Sequence, residues 1–146
     1  MGDAVSESAI HAARELRTTV GRLRRRLKQT YDAEGLTPSQ TSVLSRLGKH
    51  GPASTSDLAA AEGVRHQSIA ATLSALDKRG LIERRADPDD GRRQLVSVSD
   101  TGHAFLKDKR RARDEWLART LHDRYTEGER QAVREALVLL ERLTEA

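Results

Sequence analysis

The side chains in this sequence that could carry out binding chemistry include polar and basic residues at the start of one helix. Arg65 and Gln67 follow Gly63, a glycine that separates this helix, predicted for residues 65–79, from a shorter one. An arginine can donate two hydrogen bonds to guanine, and a glutamine can pair in the same bidentate way with adenine. The alternative is that both are solvated residues at a helix end, and their position after the glycine turn disfavours it.

A hairpin with a long, basic tip is predicted directly after this helix. Residues 81–86 and 93–99 are strand-like, and the loop DPDDGRR (87–93) between them is rich in turn-forming residues. Arg92 is favoured as a minor-groove contact over plain surface charge, because the negative potential of that groove attracts arginine. The arginines of the predicted hairpin are Arg84, Arg85, Arg92 and Arg93.

Apolar spacing predicts how the helix of residues 65–79 is oriented. Ile69, Leu73 and Leu76 recur every three or four residues and should form one buried face. The opposite face is made largely of small side chains, which permit close approach to a groove about 12 Å wide. The residues expected to face away from the core are His66, Gln67, Ala70, Ala71, Ser74, Ala75 and Lys78.

The shorter helix before Gly63 is predicted to begin at Ser54, a residue type that caps helix N-termini. Asp57 in its first turn lies at the positive end of the helix dipole. Ser54 and Thr55 could also bind a phosphate at this N-terminus. Capping alone accounts for Ser54, so both interpretations of its hydroxyl stay open.

Four further helices are predicted around these elements. An apolar stripe runs over residues 9–31, and TPSQ (37–40) supplies the cap, proline and glutamine that begin a second helix. Ser99 can cap a long helix, and a capping box at Thr126 begins the last one. Trp116 on the long helix is interpreted as an interface or core anchor rather than a stacking surface for a ligand.

Length and composition favour a single intracellular domain. The 146 residues can form one hydrophobic core. The low hydrophobic fraction of 36% and the high charged fraction of 33% suit solvated helices whose exposed apolar residues are covered by a second copy of the chain. Lys and Arg exceed Asp and Glu by 26 to 22, which indicates nucleic acid only where the excess is clustered. The sequence has no signal-peptide pattern and no apolar run near roughly 18 residues. We therefore expect a soluble, cytoplasmic protein without a membrane partner.

Several classes of site are not expected from this sequence. The absence of cysteine excludes disulfides and thiolate metal ligands, and no two of the five histidines are three or four residues apart. No nucleophile elbow, phosphate-binding glycine loop or paired catalytic motif is present. We therefore expect no metal, no cofactor and no enzymatic activity.

Three motifs resemble the MarR family of winged-helix transcriptional regulators: LDKRGLIER (76–84), DPDDGRR (87–93) and VSDTG (98–102). The resemblance implies one domain over residues 1–146, mainly α with a small β hairpin. A winged helix-turn-helix lobe would span about residues 37–99, and dimerisation helices would span about 6–32 and 100–146. It further implies a homodimer that binds pseudo-palindromic double-stranded DNA.

The resemblance also implies roles for individual residues. The helix of residues 65–79 would enter the major groove, and Arg92 would enter the minor groove with its guanidinium held by Asp90. Relatives frequently carry a hydroxyl residue where this chain has Ala70, which shifts the expected base contacts toward the first turn of the helix. The DNA-binding candidates are Ser54, Thr55, Arg65, His66, Gln67, Ser68, Thr72, Arg84, Asp90, Arg92 and Arg93.

Members of this family often release DNA when a small aromatic or anionic compound binds. His11, Arg14 and Arg17 on the first helix are candidates to bind such an effector, with plain solvated residues as the alternative. Together these expectations predict a homodimeric, sequence-specific DNA-binding repressor. The alternative function is a winged-helix module that binds another protein and no DNA.

Overall fold

The computed structural model describes residues 4–30 and 35–146, which form six helices and one three-stranded sheet. In chain order the elements are α1 (Glu7–Gln29), α2 (Pro38–His50), β1 (Ala53–Ser54), α3 (Thr55–Glu62), α4 (His66–Lys78), β2 (Ile82–Ala86), β3 (Gln94–Val98), α5 (Asp100–Arg124) and α6 (Glu127–Thr144).

The predicted fold class, mainly helical with a small β hairpin, is confirmed. The hairpin is β2 and β3, whose antiparallel register pairs Ile82 with Val98 and Ala86 with Gln94. The structure adds a third strand that the sequence pattern did not predict: β1 pairs with the other edge of β3, with Ser54 opposite Leu95. A strand of two residues is too short to show an alternating pattern.

The core lies beneath α4 and is closed by α2, α3 and the sheet. Leu73 and Leu76 are 0% exposed and Ile69 is 2% exposed, as the spacing of α4 predicts. The remaining buried apolar residues come from the elements around that helix. They are Val43, Leu44, Leu47, Leu58, Ala59, Leu81, Ile82, Val96 and Val98.

A tight junction joins the end of α4 to the start of α5. Gly80 has a φ of +70°, and the N–H of Leu81 donates to the carbonyl of Leu76, which closes the predicted glycine cap. The Ser99 hydroxyl accepts from the N–H of Gly102 and donates to the carbonyl of Gly80. A Cβ at Gly102 would lie 2.1 Å from the Leu81 carbonyl oxygen, so only glycine allows this approach.

The first and last helices lie largely outside this core. No residue of α1 or α6 is buried in the single chain, and several large apolar side chains on them are exposed. Arg26 of α1 lies over the ring of Trp116 on α5, with 4.9 Å between the guanidinium carbon and the ring centroid. Tyr31, at the end of the predicted apolar stripe, lies outside the described residues.

The assignment of α1, α5 and α6 to dimerisation, and of residues 37–99 to a DNA-binding lobe, stays a prediction. None of the helices in the described part of the chain combines the length and apolar character needed to cross a membrane.

Candidate nucleic-acid interface

The first turn of α4 is exposed and carries most of the predicted base contacts. Arg65 is the N-cap residue of α4, and its side chain makes no capping hydrogen bond. His66, Gln67 and Ser68 follow it, and each is exposed, as is Ala70. With Ile69 fixed in the core, this turn is held by the lobe while its polar side chains extend into solvent.

Thr72 lies one turn further along α4 and is half-buried. Its hydroxyl donates to the carbonyl of Ser68 at 3.0 Å. The hydroxyl hydrogen is therefore used within the helix, and the oxygen can act only as an acceptor toward another molecule. This geometry favours the first turn of α4 over Thr72 for contacts that need a donor.

The turn into α4 is fixed by glycine and by a polar contact at the end of α3. Gly63 adopts left-handed φ and ψ angles of 65° and 33°, a region that favours glycine. Glu62, the residue before it, accepts hydrogen bonds from Ser42 and Arg46 of α2, with 3.0 Å between Arg46 Nε and the carboxylate. These bonds tie the last residue of α3 to α2.

The tip of the hairpin is closed by its own aspartates. The N–H of Arg93 donates to the Asp90 carbonyl at 3.0 Å, and the N–H of Asp87 donates to the Arg93 carbonyl at 2.9 Å. The Asp90 carboxylate accepts from the backbone N–H of Arg92 at 3.0 Å. The expected bond from Asp90 to the Arg92 guanidinium is therefore replaced by a turn in which the aspartate binds the backbone two residues on.

Two of the four hairpin arginines bind other parts of the lobe. Arg84 Nε lies 3.7 Å from the carboxylate of Asp77 on α4. Arg93 Nη2 donates to Ser54 Oγ at 2.7 Å and to Asp57 Oδ2 at 3.0 Å. Arg92 is exposed, and within the described ranges its guanidinium makes no hydrogen bond or ion pair.

The structure gives the Ser54 hydroxyl two partners within the chain. It accepts from the N–H of Asp57, which confirms the predicted helix cap, and from the Arg93 guanidinium. Ser54 is only 4% exposed, whereas Thr55 is half-buried. The buried position favours the capping role of Ser54 over a contact with phosphate.

The effector candidates lie on successive turns of α1 and are all exposed. His11 Nε2 lies 3.3 Å from the carboxylate of Glu15, and Arg14 borders an open groove with Glu15 and Arg22. Arg17 does not border that groove. A single chain therefore does not enclose His11, Arg14 and Arg17 in one pocket.

Two positions that matter to this surface were missed by sequence reasoning. Asp57 was interpreted only through the helix dipole, and Glu62 only as a helix end, although both carboxylates bind arginine. Their partners are 36 and 16 residues away along the chain, so no local spacing signals the pairs. In the part of the chain that the structure describes, no three His, Cys, Asp or Glu residues are grouped closely enough to hold a metal ion.

Comparison with known proteins places this geometry among transcriptional regulators. A family model described as MarR family matches residues 34–93. The HTH-type transcriptional regulator Mb0904 of Mycobacterium bovis is 36% identical over 134 residues, which cover 92% of this chain and 93% of that protein. The HTH-type transcriptional repressor NicR of Pseudomonas putida is 32% identical over 95 residues, 60% of each chain.

The solved structures include a close match to the whole fold. A crystal structure of a transcriptional regulator protein from Pseudomonas aeruginosa PA01 has a TM-score of 0.78 and 37% sequence identity. The match covers 97% of this chain and 99% of that one. The similarity therefore includes the outer helices α1, α5 and α6 as well as the lobe.

The two interpretations of Ser54 can be separated by substitution. Ser54→Ala removes the acceptor for both Asp57 N–H and Arg93, and we expect it to lower the free energy of unfolding by about 1 to 2 kcal/mol. Ser56→Ala is the matched control, because Ser56 is exposed in the same turn, and it should stay within about 0.5 kcal/mol of wild type. Urea unfolding measures both. An unchanged midpoint for Ser54→Ala together with weakened binding to duplex DNA would instead favour the phosphate contact.

Proposed function

The chain belongs to the MarR family, and we propose that it is a homodimeric repressor that binds a pseudo-palindromic DNA operator. Members of this family are transcriptional regulators and not enzymes, which agrees with the sequence prediction. The observation that carries the proposal is the exposed first turn of α4 in the same lobe as the exposed Arg92 of the hairpin, whose guanidinium has no partner among the described residues. The NicR relative, itself named a repressor, supports the proposed sign of regulation.

The first turn of α4 is the proposed base-reading element. A helix of this size fits the major groove of B-DNA, about 12 Å wide, and its exposed Ala70 permits close approach. Arg65 is suited to a bidentate contact with guanine, and Gln67 to one with adenine. His66 and Ser68 would contact neighbouring bases or phosphates.

The hairpin is the proposed wing, and Arg92 is its proposed minor-groove contact. The Arg92 guanidinium has no partner in residues 4–30 and 35–146, so it can enter a narrow minor groove without first giving up an ion pair there. Asp90 fixes the backbone at Arg92 and so limits the positions that the side chain can reach. Arg84 would contribute positive potential near the DNA phosphates while it remains beside Asp77.

The proposed homodimer would cover the apolar side chains that one chain leaves exposed. On α6, Leu137 is 53% exposed and Leu143 is 60% exposed, and with Val133 and Leu140 they form an apolar stripe along this helix. On α1, Ile10 and Leu23 are likewise exposed. Exposed apolar side chains that recur along a helix mark an interaction site, and a two-fold dimer covers the same residues on both copies. The two α4 helices would then read half-sites about 34 Å apart.

The DNA-binding prediction is tested with Arg92→Ala. On a palindromic duplex selected from a random library by the wild-type protein, we expect affinity to fall roughly 10-fold. The plot of log affinity against log salt should become less steep by about 0.9, because one guanidinium fewer neutralises the DNA phosphates. Fluorescence anisotropy over a salt series measures both quantities.

Arg119→Ala is the matched control for this change of charge. Arg119 is exposed on α5, about 28 Å along the helix from Asp100 at a rise of 1.5 Å per residue. It should leave affinity near the wild-type value. Equal affinity of wild type and Arg92→Ala would contradict the wing assignment, and failure of wild type to bind any duplex at low salt would favour the protein-binding module.

The dimer prediction is tested on α6. The double variant Leu137→Glu, Leu143→Glu places charge on the apolar stripe and should convert a dimer into a monomer at micromolar concentration, as measured by light scattering. Val138→Glu is the control, because Val138 is 64% exposed and each residue turns the helix by about 100°, which points it away from the stripe. A wild-type protein with the mass of one chain would show the dimer proposal to be wrong.

The effector part of the proposal rests on His11, Arg14 and Arg17. Two guanidinium groups beside an imidazole can bind a carboxylate by charge-assisted hydrogen bonds. We expect benzoate, used as the probe, to give a calorimetric binding signal that disappears when all three residues are changed to alanine. The same benzoate affinity in the triple variant would exclude this location.

A further inference from the structure

Arg93 connects the tip of the hairpin to the start of α3. Its backbone closes the loop, since its N–H bonds to Asp90 and its carbonyl accepts from Asp87. Its side chain extends to the adjacent start of α3 and donates through Nη2 to Ser54 at 2.7 Å and to Asp57 at 3.0 Å. One residue therefore fixes both the shape of the loop and its position against α3.

Ser54, one of the two acceptors for this guanidinium, is held firmly by the fold. Ser54 is buried, belongs to β1 and lies opposite Leu95 of β3 in the sheet. Its Oγ also accepts from the Asp57 N–H at 3.1 Å, which orients the first turn of α3. Arg93 therefore binds one buried acceptor, Ser54, and one exposed carboxylate, Asp57, which extends from the first turn of α3.

Arg92, the neighbouring residue, depends on this contact. Its backbone N–H is held by Asp90 on one side, and the next residue is anchored to α3 on the other. With both ends of this short segment fixed, the Arg92 side chain extends from a defined backbone position into solvent. Loss of the Arg93 side-chain anchor would leave only the hydrogen bonds within the loop, those of Asp90 and Asp87, to define that position.

Resting on the proposed DNA-binding function, we propose that Arg93 is a positioning residue and not a phosphate contact: its ion pair with Asp57 aims Arg92 at the minor groove. Asp57 is accordingly required for DNA affinity although its carboxylate carries the same sign of charge as DNA. This assignment changes the role of Arg93, which sequence reasoning placed among the DNA-binding residues.

The direction in which one substitution changes DNA affinity separates this proposal from a purely electrostatic effect. Removing a carboxylate from a DNA-binding surface raises affinity if charge alone matters, because repulsion from the phosphates is reduced. If Asp57 positions the wing, Asp57→Asn lowers affinity instead. We expect a loss of roughly 3- to 10-fold, since the substitution turns a charge-assisted contact that orders an exposed loop into a weaker, neutral hydrogen bond.

The experiment compares Asp57→Asn in two backgrounds by fluorescence anisotropy on the operator-like duplex selected with wild-type protein. In wild type the substitution should weaken binding, and in the Arg92→Ala background it should change affinity by less than about 2-fold, because the side chain that it positions is gone. Asp89→Asn is the matched control: it removes the same charge from the wing, where the carboxylate accepts no hydrogen bond from the described residues. It should leave affinity unchanged or slightly increased.

Three outcomes would overturn the inference. Tighter binding by Asp57→Asn would show that a released Arg93 binds phosphate. An equal loss of DNA affinity in both backgrounds would show a general structural effect without a link to Arg92. Thermal unfolding is the control that each variant is folded at the assay temperature. If Asp89→Asn lowered DNA affinity as much as Asp57→Asn, the effect would not be specific to the ion pair between Asp57 and Arg93. Failure of wild-type protein to bind any duplex would instead refute the proposed function, and the wild-type titration shows this directly.

Discussion

The packing of the apolar face of α4 into the core is the constraint on which the rest of the lobe depends. Ile69, Leu73 and Leu76 are almost fully buried, and burial of each such side chain contributes about 1.5 to 3 kcal/mol. Rotating α4 about its axis would expose these residues and bury polar ones, at a cost of several kcal/mol. Burial of the apolar face therefore determines which face of α4 is exposed to solvent. The same packing keeps the polar first turn exposed, and no additional contact is needed for this.

The two ends of α4 transmit this constraint to neighbouring elements in different ways. At its start, Glu62 fixes the preceding helix to α2, so the turn at Gly63 begins from a set position. At its end, the Gly80 cap is bonded by Ser99, and the close approach of Gly102 to the Leu81 backbone leaves no space for a side chain. Because interiors are close-packed, a shift of α5 would have to move the end of α4 as well.

The parts of this structure that the sequence predicted are those whose causes are local. The buried face of α4 follows from a spacing of three and four residues, and the caps at Ser54 and Thr126 involve partners three residues away. The ion pair between Arg93 and Asp57 joins residues 36 apart, and β1 has only two residues. Such features depend on the arrangement of whole elements and have no local signal. The bond expected between Asp90 and the Arg92 guanidinium differs for another reason, since Arg92 also offers its backbone N–H, which a tight turn brings within reach of the aspartate.

The arginines of the hairpin serve two different purposes: some stabilise the structure of the lobe, and others are available to bind a ligand. Arg84 and Arg93 lie against carboxylates of α4 and α3, so part of their charge is already compensated within the lobe. An arginine in such a pair adds less to the salt dependence of DNA binding than one that reaches phosphate directly, because fewer counterions are released. What it contributes is order in a loop whose backbone would otherwise sample many conformations. Under the proposed function, the number of arginines in the hairpin therefore overstates the number of expected DNA contacts, and the internal partners of each guanidinium distinguish the two roles.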